Sequence, residues 1–116
     1  MADYATKLIG QKVTVMMDRK MGSVHPRFKE IYYCQNYGYV PETKAPDGDE
    51  IDAYVLGVFK PFHKYIGKAI AVVRREDDDD DKLIVVPDGV DYSDEQILAL
   101  VEFQERFFKA SVIRKD

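Results

Sequence analysis

Short apolar runs separated by turn-forming residues occupy most of the chain, and this pattern predicts β-strands. The first run, Lys12–Asp18 (KVTVMMD), is rich in β-branched residues and partly alternating. An aromatic-rich segment, EIYYCQNYGYV, follows a loop and is closed by Pro41. Three further runs have strand length, IDAYVLGVF, GKAIAVVRR and KLIVVP, and the connection 61–67 is expected to separate the first two. The pattern therefore predicts five strands.

One helix is predicted after the strands, within SDEQILALVEFQERFFK. Ser93 and Gln96 have the spacing of a capping box, and Asp94 and Glu95 favour the positive end of the helix dipole. The residues expected on its apolar face are Ile97, Leu100, Val101, Phe107 and Phe108, with Gln104 as a polar interruption. Several strands followed by one helix predict an α+β domain built on a small barrel or strongly curved sheet.

Length and charge narrow the functional classes. A chain of 116 residues fits a single domain, residues 1–116. The net charge is −4 and no basic stripe is present, so nucleic acid is not an expected partner. No apolar run approaches the roughly 20 residues that span a bilayer, and the N-terminus lacks the pattern of a secretory signal. Cys34 is the one cysteine, which fits a reducing cytoplasm.

An acidic turn, PDGDEID, directly precedes the third apolar run. Its carboxylates lie close enough in sequence to repel one another, which makes each harder to ionise. Two interpretations follow: a turn solvated by water, or a cradle for a divalent metal ion. An EF-hand is excluded, because its sixth position must be Gly and its twelfth Glu, whereas counting from Asp47 gives Asp52 and Val58.

A second acidic cluster, Glu76–Asp81, ends at Lys82 before the last apolar run. By composition alone such a run is typical of a solvated hairpin tip. Alternatively, the two clusters meet at one mouth of a barrel. Oxygen ligands without His or Cys select hard cations, which are Mg²⁺, Mn²⁺ or Ca²⁺.

The stretch NYGY, followed after a short spacer by DGDEID, resembles the family I soluble inorganic pyrophosphatases. The likeness extends to DDKLIVVPDG and, more weakly, to EFQERFFK, and so covers the chain from Tyr33 to Lys109. It implies a five-stranded OB-like barrel with flanking helices and a homo-oligomer. It also implies hydrolysis of pyrophosphate to two phosphates with several Mg²⁺ ions, with Mn²⁺ as a possible replacement.

The resemblance also implies roles for individual residues. The metal ligands would be Asp47, Asp52, Asp77 and Asp80. Asp49 matches the carboxylate that orients or deprotonates the attacking water, and Tyr37 matches a tyrosine that donates its hydroxyl near the nucleophile or phosphate. The substrate-binding residues would be Tyr33, Lys82 and Lys109. The alignment needs a gap of one residue near Asp77, so Glu76 and Asp78 stay open as alternatives.

The chain departs from the family pattern between the first two predicted strands. The segment DRKMGSVHPRFKEIYY is shorter than its counterpart and has no clean match for the family's Lys-Tyr-Glu element, which grips phosphate. The side chains available to replace it are Arg19, Lys20, His25 and Arg27, although His25 before Pro26 is more typical of a loop residue. Phe108 stands where the family has a tyrosine, so one phosphate hydrogen bond is lost.

The sequence leaves three functions open. The first, which we favour, is a metal-dependent inorganic pyrophosphatase. The second is hydrolysis of another phosphoanhydride, such as a nucleotide, and its support is the shortened basic segment. The third is a non-catalytic protein that binds metal or phosphate.

Overall fold

The structure, a computed structural model that describes residues 3–76 and 80–115, is built on a sheet that closes on itself. The strands are β1 (Lys12–Arg19), β2 (Asn36–Val40), β3 (Ile51–Val55), β4 (Lys64–Arg75), β5 (Asp81–Val86) and β6 (Ala110–Ile113). They lie in the order β1-β2-β3-β5-β4-β6, and β4 also pairs with β1. The β3–β5 pair is parallel and the other pairs are antiparallel. The predicted five-stranded barrel and α+β class are confirmed.

Strand β4 is longer than the sequence pattern predicted, and β6 was not predicted. Residues 64–67 belong to β4 rather than to a connection, and they pair with β1 to close the barrel. The far end of β4, Val72–Arg75, pairs with β6. The polar residues within KYIGK obscured the first part of β4 in the sequence pattern. The β6 segment, ASVI, is too short to be recognised as a strand after a helix.

Gly38 of the NYGY stretch permits the close approach of β1 and β2. It pairs with Met17, and a Cβ atom at Gly38 would lie 1.9 Å from the Met16 carbonyl oxygen. The register of β1 shifts between Met17 and Arg19, so the strand bends at this point. A residue with a side chain at this position would force the two strands apart.

Strand β5 is buried on both faces, which explains its continuous apolar run. Successive side chains of a strand point to opposite sides. Leu83 and Val85 accordingly pack inside the barrel, whereas Ile84 and Val86 pack in the layer that contains the helix residue Ile97. The barrel interior and the helix layer are thus two cores that share one strand.

Helix α1 (Asp94–Glu105) covers this outer layer. The predicted capping box is confirmed, since the Ser93 hydroxyl accepts from the Gln96 N–H at 3.1 Å and the Gln96 side chain accepts from the Ser93 N–H at 2.8 Å. The predicted placement of Phe107 in the core is wrong. The helix ends at Glu105, and Phe107, which lies beyond the last turn, is 56% exposed.

We expect Ser93→Ala to lower the free energy of unfolding by about 1 kcal/mol, because the Gln96 N–H then loses its acceptor. Urea denaturation followed by circular dichroism measures this difference. Ser111→Ala, which changes an exposed serine of β6 with no capping role, is the control. Equal stability of the wild type and Ser93→Ala would contradict the prediction.

Candidate active site

A cavity of about 480 Å³ opens at one mouth of the barrel. Four polar residues that line it come from four different strands: Arg19, Tyr37, Arg75 and Lys82. The sheet register brings them together, because Arg19 pairs with Tyr37 at the end of β1, and Lys82, the second residue of β5, pairs with Val73 near the end of β4. The mouth therefore carries three cationic side chains and a phenol.

The Lys82 ammonium group is the buried centre of this mouth. Its Nζ donates to Asp52 Oδ2 at 2.6 Å and to Asp80 Oδ2 at 2.8 Å, and the side chain is 3% exposed. The parallel register places Asp52 directly beside Lys82. Burial alone would lower the pKa of Lys82, but the neighbouring oxygens of Tyr37 and Asp52 raise it, so the group stays charged.

The Arg75 guanidinium is fixed from the side of the helix. Glu105 accepts its Nε–H at 2.8 Å and its Nη2–H at 2.9 Å, and also accepts from the Tyr54 hydroxyl at 2.6 Å. The Phe108 ring lies over the guanidinium, with 3.8 Å between Arg75 Cζ and the ring centroid. Burial would raise the pKa of the Glu105 carboxyl, but its bonds to Arg75 and Tyr54 lower it instead.

Tyr37 and Tyr33 form an aromatic pair at the cavity, with ring centroids 5.9 Å apart. Tyr37 lines the cavity, and burial raises the pKa of its hydroxyl, so this group remains a hydrogen-bond donor at neutral pH. Tyr33 is fully buried and lies behind Arg19. Its hydroxyl accepts from Arg19 Nη1 at 2.5 Å and donates to the Gln104 side-chain oxygen, so it positions Arg19 at the cavity wall.

His25 also lines the cavity, on the loop between β1 and β2. Its Nδ1 accepts the backbone N–H groups of Arg27 at 3.0 Å and Phe28 at 3.1 Å. The proton of the neutral ring therefore sits on Nε2. Burial and the charges of Arg19 and Arg27 lower the pKa of His25, which favours this neutral form at pH 7.

The acidic turn leads into β3 from outside the cavity. Asp47 and Asp49 are both exposed, and the turn is closed by bonds from the Asp49 N–H to Asp47 Oδ1 at 3.0 Å and from the Ala45 N–H to the Asp49 carbonyl at 2.7 Å. Gly48 takes a positive φ of 93°, which suits glycine. The Asp49 carboxylate makes no hydrogen bond to any residue that the structure describes, so the turn does not depend on its charge.

The structure brings some of the predicted site residues together and not others. Asp52, Asp80, Lys82 and Tyr37 meet at the mouth. Lys109 is exposed and does not line the cavity; its backbone carbonyl accepts from the Glu76 N–H at 2.8 Å, which places it beside the residue that follows β4. Asp77 and the alternative Asp78 lie outside the described residues.

The donor chemistry at the mouth fits a hard divalent cation. Asp52 and Asp80 hold one ammonium between them, so their carboxylates already converge on a single cation. Oxygen donors of this kind suit Mg²⁺ or Mn²⁺. Within residues 3–76 and 80–115, no three side chains of His, Cys, Asp or Glu form a ready metal-binding group.

Sequence reasoning missed the ion pair of Arg75 with Glu105 and the roles of Tyr54 and Gln104. Gln104 and Glu105 follow Ile97 and Val101 on the buried part of the helix, where two adjacent polar residues are unusual. These two polar residues were the signal in the sequence that the helix makes buried polar contacts. It does not identify Arg75, because the partner lies 30 residues away in the sequence.

The structural comparisons agree on the fold. An inorganic pyrophosphatase from Ehrlichia chaffeensis has a TM-score of 0.72 and 20% identity, over 91% of this chain and 87% of that one. One from Coxiella burnetii has a TM-score of 0.66 and 24% identity, over 97% and 89%. One from Thermus thermophilus has a TM-score of 0.62 and 17% identity, over 96% and 87%.

The sequence comparisons give the family. No curated protein sequence matches the chain. None of the described helices has the length and apolar character that crossing a bilayer requires.

A family model does match. The sequence pattern of the inorganic pyrophosphatase family matches residues 6–112, which is nearly the whole chain. The chain therefore belongs to the inorganic pyrophosphatase family.

Proposed function

We propose that the mouth of the barrel is the active site at which this protein hydrolyses inorganic pyrophosphate, with Mg²⁺ as its metal. The family is one of inorganic diphosphatases, and metal dependence is general in it. The observation that carries the site assignment is the Lys82 ammonium held between Asp52 and Asp80 beside Tyr37. Carboxylates next to a buried cation provide adjacent places for a metal and for phosphate.

The metal would be held by Asp52 and Asp80, together with Asp47 and Asp77. When bound, it neutralises phosphate oxygens and lowers the pKa of a coordinated water. Asp49 would orient the attacking water and accept its proton, because its carboxylate is exposed and makes no bond that the turn needs. Mn²⁺ is the expected substitute for Mg²⁺, since both ions accept oxygen ligands.

The phosphate groups would be held by cations and neutral donors of the cavity wall. Lys82 and Arg19 supply positive charge, and Tyr37 supplies a hydroxyl whose raised pKa keeps its proton in place. His25 would donate from Nε2, since its Nδ1 is occupied by backbone N–H groups. Arg19 and His25 would thus replace the phosphate-gripping residues that the shortened loop lacks.

Tyr33 and Lys109 have less direct roles in this proposal. Tyr33 would act on substrate through Arg19, because its hydroxyl is occupied by two protein partners. Lys109 is exposed, and it would reach the leaving phosphate from the rim of the site. Residence in the cytoplasm and assembly into a homo-oligomer stay predictions.

Release of phosphate from pyrophosphate with and without Mg²⁺ tests the function. We expect turnover that requires the metal, and Lys82→Met should raise KM by about tenfold or more because ground-state phosphate also feels the ammonium charge. Lys44→Met, which removes an exposed lysine outside the cavity, should match the wild type.

Two outcomes would contradict the proposal. A folded wild-type protein that releases no phosphate with Mg²⁺ or Mn²⁺ would exclude hydrolysis. Unchanged KM and kcat in folded Lys82→Met would exclude the mouth as the phosphate site. Thermal melting of each variant shows that it is folded.

A further inference from the structure

The cavity has a charged floor and an apolar wall. The floor is formed by Lys82, Arg75 and Arg19, and the wall includes Phe28, Ile31, Phe107 and Phe108. Two wall residues are unusually open for aromatic side chains, with Phe28 47% exposed and Phe107 56% exposed. Both come from segments that flank the mouth, since Phe28 lies in the β1–β2 loop and Phe107 lies between helix α1 and β6.

An inorganic substrate makes no use of this wall. Pyrophosphate consists of charged and polar oxygens around phosphorus, so it gains nothing from contact with a phenyl ring. The volume of about 480 Å³ lies within the range of roughly 300–1,000 Å³ typical of sites for larger organic ligands. Apolar walls with a few convergent charged groups are the usual composition of such sites.

We propose that the wall binds the organic group of a diphosphate ester, and that the protein also hydrolyses diphosphates carrying an aromatic or apolar group. This inference rests on the proposed function, since the same floor would hold the two phosphates. The class includes nucleoside diphosphates, whose base is aromatic, and isoprenoid diphosphates, whose chain is aliphatic. The wall offers rings and methyl groups to both.

The reaction would follow the same course as with pyrophosphate. The oxygen of water bonds to the terminal phosphorus, and the bond from that phosphorus to the bridging oxygen breaks. The electron pair stays on the bridging oxygen, which leaves as part of the organic monophosphate. The products are the organic monophosphate, inorganic phosphate and one proton, and no oxidant or reductant is needed.

Charge favours this occupant over a second protein chain. The aromatic residues lie beside three cationic side chains, and Arg19 makes no ion pair with any of the residues the structure describes. An apolar partner surface placed over the mouth would bury the Arg19 guanidinium without an anionic partner, which is costly. A ligand with an anionic head and an apolar tail matches both parts of the cavity at once.

The test compares kcat/KM for pyrophosphate, methyl diphosphate, ADP and geranyl diphosphate with Mg²⁺. Methyl diphosphate has the ester linkage without a group large enough to reach the wall. We expect kcat/KM for ADP or geranyl diphosphate to exceed that for methyl diphosphate by about tenfold or more. Comparison of ADP with geranyl diphosphate distinguishes a preference for aromatic groups from one for aliphatic groups.

The variants Phe28→Ala and Phe107→Ala should lower the ratio of kcat/KM for the preferred large ester to that for pyrophosphate by about tenfold. Phe59→Ala is the matched control, because Phe59 is 76% exposed and lies outside the cavity lining. It should leave the ratio unchanged.

The results distinguish failure of this inference from failure of the proposed function. Pyrophosphate turnover without any preference for the large esters would overturn this inference and leave the proposed function standing. No turnover of any of the four compounds would overturn both. A dimer in light scattering that Phe28→Ala and Phe107→Ala dissociate, with an unchanged substrate ratio, would show that the wall is a subunit interface and would also overturn the inference.

Discussion

Replacing Asp49 by asparagine is expected to lower kcat for pyrophosphate by about 100-fold or more, the range usual for loss of a general base. The acidic turn should keep its shape, because its bonds use the backbone N–H and carbonyl of Asp49 and not its carboxylate. Affinity for substrate should change much less than kcat, since the lost interaction belongs to the transition state. Steady-state phosphate release measures both quantities.

Glu50→Gln provides a closely matched control for this experiment. Glu50 is the next residue of the same turn and is also exposed, so the variant removes the same charge from the same segment. It should keep kcat within a fewfold of the wild type. Equal losses of kcat in Asp49→Asn and Glu50→Gln would show that the net charge of the turn, and not Asp49 itself, causes the effect. A wild-type kcat in Asp49→Asn would exclude Asp49 as the general base.

Removing the Glu105 carboxylate is expected to have the largest effect on stability. Glu105→Gln should lower the free energy of unfolding by about 3 kcal/mol, because it removes the buried carboxylate that accepts two N–H groups of the Arg75 guanidinium, while the more distant Asp80, 3.5 Å from Arg75 Nη1, stays in place. The melting temperature should fall by roughly 10 °C or more. Calorimetry of Glu102→Gln, an exposed glutamate one turn earlier in the same helix, gives the control, and its melting temperature should barely move.

The double variant Arg75→Met with Glu105→Leu separates charge from packing. It removes both members of the pair, so it should be more stable than Glu105→Gln alone. A double variant that is less stable than the single one would show that packing volume, and not the loss of the Glu105 charge, causes the loss of stability.

The Glu105 carboxylate also makes the stability of the fold depend on pH. The pKa of Glu105 is lowered in the folded protein from its ordinary value of 4.5, so the group stabilises the fold above that pH. Its contribution is lost as the pH falls through the folded-state pKa. Glu105→Gln should therefore lose less stability than the wild type as the pH is lowered below 4.5, which urea denaturation at a series of pH values measures.

The strand pattern could be predicted from the sequence because each barrel strand is an apolar run bounded by turn residues. The pairings could not, since nothing local specifies that β5 enters between β3 and β4. That placement is what puts Lys82 beside Asp52. The short strand β6 and the exposure of Phe107 were also missed, because a chain leaving a helix carries no strong local signal at that length.

Some residues of the candidate site could also be predicted from the sequence, and others could not. The acidic turn and Lys82 stand out by their crowded charges and by their likeness to a known motif. Arg75 and Glu105 do not, because either is an unremarkable charge until the fold buries it. Pairing them from the sequence would require choosing among 17 basic and 21 acidic residues. Long-range ion pairs inside a core are products of packing, which periodicity does not report.

The late position of Glu105 in the chain has a consequence for biosynthesis. Arg75 is made 30 residues before Glu105, which accepts two of its N–H groups, and this interval takes about 2–6 seconds at ordinary rates of translation. Strand β6, which covers the backbone of the far end of β4, is made later still. On the ribosome the barrel strands thus emerge before the helix residue that fixes the Arg75 guanidinium, so this side of the proposed active site is completed late in synthesis.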